Sequence, residues 1–175
     1  MRLADRRRRT KNLALASLLC AVGVVLLYVG SVFEILDLTM VLVASLPIVL
    51  AVIEMGSVWP WLIYAVTAVL GLILLPVKLP ALVYIFLFGF YPILKEKTER
   101  RFRGALAWLF KTCIFFLSVG FLWLVIRLFL PDTSLEGGIL LWLLALTLML
   151  FLYDVLLTRL VTRYVLTWRR LIKKK

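Results

Sequence analysis

Six long apolar runs separated by short polar or charged segments organise this chain, and their lengths decide what each run becomes. A bilayer core of about 30 Å is crossed by about 20 helical residues, and in lipid every backbone polar group must be satisfied within the segment. The runs meeting or approaching that length are 13–30, 35–56, 58–77, 79–94, 105–130 and 139–160. They predict an all-α, polytopic integral membrane protein of six transmembrane helices, with a short fourth helix. The second run has an uninterrupted centre from Leu38 to Ile53. Between the third and fourth, Pro76-Val-Lys-Leu-Pro80 ends one helix and lets the next begin, which predicts a tight hairpin. Polar residues 131–138 form the turn before the last run, and a basic cytoplasmic tail, 161–175, follows it. The whole chain, 1–175, reads as one transmembrane helical domain.

Composition agrees: 65% of the 175 residues are apolar and the mean hydropathy is +1.09, outside the range of ordinary soluble globules. The net charge of +12 would suit a nucleic-acid binder, but the charges are segregated. Eighteen of the 21 Lys and Arg fall in three clusters, Arg2–Lys11, Lys95–Arg103 and Arg159–Lys175. These clusters flank apolar runs, leaving no basic folded surface for nucleic acid. With the N-terminus inside, all three are cytoplasmic, while Glu34, Asp37, Lys78, Asp132 and Glu136 lie on the other side. The expected location is the plasma membrane, with both termini cytoplasmic and the basic clusters against anionic lipid headgroups. The first run is too long for a cleaved signal h-region and reads as an uncleaved helix. Trp59, Trp61, Trp108 and Trp168 near inner helix ends, with Tyr28 and Trp142 near outer ones, form an interfacial aromatic belt.

Candidate chemistry rests on the ionisable residues at membrane depth, each costly unless paired or hydrated: Glu54, Lys111, Arg127 and Asp154. Counting rise per residue places Lys111 and Asp154 at nearly the same depth on antiparallel helices 5 and 6. They are expected to pair, with Glu54 as a competing partner. The set reads as a structural pair that fixes packing, or as a proton or ion relay. Arg127, near the outer end of helix 5, either snorkels or anchors a carboxylate or phosphate ligand in an outward pocket with Lys78, Trp123 and Trp142. On helix 1, Ala14, Ser17 and Ala21 form one line of small residues with Ala16, Cys20 and Gly23 nearby, a pattern that lets helices approach closely. Cys20 and Cys113 lie inside apolar runs, and the chain has no His, so no metal site or cofactor is expected. No catalytic motif is present, and the chain is not expected to be an enzyme.

The segments Leu13–Tyr28 (LALASLLCAVGVVLLY), Ile53–Tyr64 (IEMGSVWPWLIY) and Phe88–Lys95 (FGFYPILK) resemble an S-component-like family of Gram-positive bacteria. S components are the substrate-binding membrane subunits of energy-coupling factor transporters. The resemblance implies an outward pocket for a vitamin-like small molecule. It also implies a transmembrane coupling subunit, with two ATPases, that meets the first helix. Ser17 and Ala21 match the family's Ala-x-x-x-Ala contact pattern only as small-x-x-x-small. The alternative is a non-transporting scaffold or assembly protein of the cell envelope.

Overall fold

The computed structural model describes residues 2–33, 37–56, 58–101, 105–129, 139–164 and 166, and every element among them is helical. Two compact units divide the chain, Met1–Leu128 and Phe129–Lys175. The first contains α1 (Arg2–Val32), α2 (Asp37–Ala44), α3 (Leu46–Met55), α4 (Trp59–Leu74), α5 (Leu79–Val83), a π turn (Tyr84–Phe88) and α6 (Tyr91–Arg101). It also holds α7 (Ala105–Phe129), except for its last residue. The second contains α8 (Ile139–Arg163), on which Tyr153, Asp154 and Leu157 are buried.

Among the described residues, four segments are long and apolar enough to cross a membrane: Arg9–Val32, Asp37–Met55, Leu79–Arg101 and Trp108–Val125. The expected third span, 58–77, is the 16-residue α4, shorter because proline bounds it at both ends. Pro60 sits in its first turn, and Leu75, before Pro76, is already extended. The hairpin read from the prolines is present, since α5 begins at Leu79 with Pro80 in its first turn.

Two expected boundaries move. The second run is not one uninterrupted helix: Pro47 removes an intrahelical N–H, and the chain turns at Ser45, whose N–H and hydroxyl both bond Leu42 O. The fourth extends past Leu94, because after a break at Gly89 and Phe90 a further helix runs through the charged residues to Arg101. Lys95 and Glu99, at 3.6 Å, and Glu96 and Arg100, at 3.5 Å, pair one turn apart and sustain it.

α1 and α4 run parallel. Cys20 Sγ donates to Ile63 O at 3.8 Å, a Cβ on Gly23 would lie 3.1 Å from Thr67 Cγ2, and one on Gly71 would lie 3.5 Å from Leu27 Cδ1. α2 returns antiparallel to α1, so close that a Cβ on Gly30 would fall 2.7 Å from Met40 Cβ. Glycine is therefore required there by backbone proximity rather than by φ. Leu27, Val41, Ala44, Ile48, Ile63, Tyr84 and Phe88 form the buried centre. Outside it, Leu13, Leu18, Val25, Val69, Ile73, Leu109, Leu117 and Leu128 are among many large apolar side chains left exposed. In water each would forgo roughly 1.5–3 kcal/mol of burial, so this surface is suited to a lipid solvent.

Candidate functional site

Most charged residues of the first unit gather at one end, with Lys78 and Asp37 at the other. Lys111, on the second turn of α7, donates to Glu99 Oε1 at 2.5 Å, and Lys95 lies 3.6 Å from the same oxygen. Both lysines are buried, at 6% exposure for Lys95 and 4% for Lys111, while the Glu99 side chain is 46% exposed. The carboxylate therefore joins α6 to α7 and stays in reach of solvent. Two buried ammonium groups on one carboxylate oxygen give a packing device whose strength depends on the carboxylate remaining charged.

Lys97 is on the other side of α6, with its Nζ 5.2 Å from the centroid of the Trp61 ring at the start of α4. Trp61 meets Tyr64 edge-on, centroids 6.0 Å apart. The end of α6, the start of α4 and the start of α7 are thus neighbours. Because α1 runs parallel to α4, the basic first turns of α1, with Arg6, Arg7, Arg9 and Lys11, lie at this same end. The helix ends of the unit bring together what the chain separates into two basic clusters.

Inward from Trp61, Tyr64 explains the π turn. Gly89 N–H bonds Tyr84 O at 2.6 Å, five residues back, so it does not serve Ile85 O as an α-helix would. The Tyr64 hydroxyl donates to Ile85 O at 2.9 Å instead. Gly89 permits this: a Cβ there would lie 2.7 Å from Tyr84 O and 2.8 Å from Tyr64 Cε2. Pro92 then restarts the helix, since its missing N–H falls in the first turn of α6.

The expected outer site is placed only in part. Lys78 is exposed and donates to Leu72 O at 2.9 Å and to Leu75 O at 2.7 Å, closing the C-terminal end of α4. Trp123 is exposed on α7. The side chains of Arg127 and Trp142 lie outside the described residues. Of the expected charged set, Glu54 is exposed in the last turn of α3, and Asp154 is buried on α8. The expected approach of Lys111 to Asp154 relates the two units and stands as an expectation.

The small residues of helix 1 divide into two faces. Ala16, Cys20, Gly23 and Gly30 are buried, whereas Ala14, Ser17 and Ala21 are exposed. The Ser17 hydroxyl donates to Ala14 O at 2.9 Å, which satisfies it within the helix and leaves that face free of unpaired polar atoms.

Sequence reasoning missed Glu99 because it placed residues 95–103 in a loop. The signal was present in the four-residue spacing of Lys95 to Glu99 and of Glu96 to Arg100, which favours a helix continuing past the apolar run. No family model, curated protein or solved structure matches the chain.

Proposed function

We propose that this chain is a substrate-binding membrane subunit, similar to S components, for ATPase-coupled uptake of a small vitamin-like molecule. It lies in the plasma membrane with six spans and both termini cytoplasmic. The observation that carries the reading is the exposed line Ala14, Ser17 and Ala21 on α1. A helix whose other small face is already filled by α2 and α4 keeps a second, satisfied face on which another helix can pack closely. That is the side on which a coupling subunit would dock, bringing the ATPases with it.

The test is purification of the tagged chain in mild detergent from its native host, with mass spectrometry of whatever is retained. The reading expects a membrane coupling subunit, ATPases and a bound small molecule, with the subunit lost from an Ala21→Leu variant. Recovery of wall-synthesis or division proteins without a small molecule would replace it with the scaffold reading. One observation favours that second reading: Lys78, expected to line the ligand pocket, spends its ammonium on the end of α4.

A further inference from the structure

The basic end of the first unit carries two exposed cations next to an exposed apolar line on α4. On α6, Glu96 pairs with Arg100, and Glu99 serves Lys95 and Lys111. Lys97 and Arg101, one turn apart on the same line of α6, are exposed and pair with no carboxylate among the described residues. Lys97 is held in place from below by the face of Trp61.

From Trp61 a file of exposed side chains runs up α4: Trp61, Ala65, Val69 and Leu72, at spacings of four, four and three. Such spacing keeps one line on a helix surface. At 1.5 Å per residue the file is about 16 Å long, close to half of a hydrocarbon core of about 30 Å. Two cations, an indole at the boundary and one leaflet's depth of exposed apolar helix face follow one another in the order of a phospholipid's own parts.

We propose that Lys97 and Arg101 hold the phosphate of an anionic glycerophospholipid whose acyl chain lies along Trp61, Ala65, Val69 and Leu72. The ammonium supplies a point charge and the guanidinium a planar fork for phosphate oxygens. A net negative headgroup is favoured over a zwitterionic one because no acidic side chain on this line would receive a choline or ethanolamine. The inference rests on insertion of the unit in a membrane and not on the uptake reading, so the two fail separately.

The experiment measures, by electron spin resonance, the relative association of spin-labelled phosphatidylglycerol and phosphatidylcholine with the purified chain in bilayers. The expected result is a preference for phosphatidylglycerol that falls about threefold or more in Lys97→Gln/Arg101→Gln, since each basic group near an anionic surface is worth a several-fold factor. Lys97→Arg retains it, and Arg6→Gln/Arg7→Gln, at the same end, leaves it nearly intact. Equal loss in the α1 pair would mean a diffuse field and overturn the site. Displacement of the labelled lipid by inorganic phosphate as readily as by phosphatidylglycerol would overturn the lipid as its occupant. If the double variant does not fold, Arg101→Gln and Trp61→Leu are read singly, and an unchanged preference in both overturns the proposal.

Discussion

Lys111 Nζ on α7 and Glu99 Oε1 on α6 meet at 2.5 Å, joining a buried ammonium to a carboxylate that is half exposed. Removing the carboxylate charge leaves Lys95 and Lys111 in the interior without the negative charge they share at Glu99. A buried pair broken on one side costs about 3–5 kcal/mol, and partial exposure of Glu99 reduces this to about 1–3 kcal/mol. Glu99→Gln is therefore expected to lower the unfolding midpoint in detergent. Lys111→Met removes the buried charge together with its need for a partner, so the double variant Glu99→Gln/Lys111→Met should recover part of the loss. Strict additivity in that double-mutant cycle would show that the two side chains are not coupled.

The π turn makes a separate prediction at Tyr64. Its hydroxyl is the donor to Ile85 O, a carbonyl that the turn removes from the helical ladder. Tyr64→Phe leaves that oxygen without this donor in an apolar region, at a cost of about 1–3 kcal/mol. Gly89→Ala pushes a Cβ into Tyr84 O and the Tyr64 ring, an overpacking that costs about 1–3 kcal/mol or more, because one of the clashing atoms is backbone. Thermal unfolding of both variants checks this, and a wild-type midpoint for Gly89→Ala would contradict the close approach.

Lys78 is expected to matter for stability more than for binding. Its ammonium reaches two carbonyls at the end of α4, Leu72 O and Leu75 O, where an α-helix has orphan acceptors. Lys78→Met should cost about 0.5–1.5 kcal/mol, the net worth of a typical hydrogen bond, and Lys78→Arg should restore most of it. If a ligand is identified, an unchanged Kd in Lys78→Met would agree with the capping role. A loss of ligand affinity without loss of stability would return Lys78 to the binding site.

What was legible in the sequence follows from where the determining forces are local. Proline acts on its own neighbours, so Pro76 and Pro80 announced the α4–α5 hairpin. Pro47 carried the same signal inside the second run, but its apolar neighbours hid it: hydropathy does not distinguish an unbroken helix from two joined at Ser45. The extension of α6 to Arg101 was written in i, i+4 pairs that a reading by hydropathy treats as a loop. Glu99 as a partner of Lys111 was not legible, because depth arithmetic ranks carboxylates along the membrane normal and does not register one on a helix read as a loop. Tyr64 belongs to the same class: nothing local marks its hydroxyl as the donor to a carbonyl 21 residues later.

The two faces of α1 give the sharpest separation of folding from partnership. Gly23 and Ala21 are both small, both in the apolar run and two residues apart, yet Gly23 faces Thr67 while Ala21 is exposed. Gly23→Leu must displace α4 or α2, since even a Cβ would lie 3.1 Å from Thr67 Cγ2 and 3.8 Å from Ala44 O. Cys20, one turn earlier, is buried against Ile63, whereas Cys113 is exposed on α7. In a Cys113→Ser background, alkylation of Cys20 by a membrane-permeant maleimide therefore reports opening of the α1–α4 interface, because a thiol must be exposed to react. Gly23→Leu is expected to speed that alkylation by tenfold or more, which corresponds to about 1.4 kcal/mol or more lost from the interface. Ala21→Leu should leave the rate unchanged while abolishing any co-purifying membrane subunit. Equal alkylation rates in the two variants would contradict the assignment of faces. A normal rate with the partner retained in Ala21→Leu would leave the fold intact and remove α1 as the docking helix.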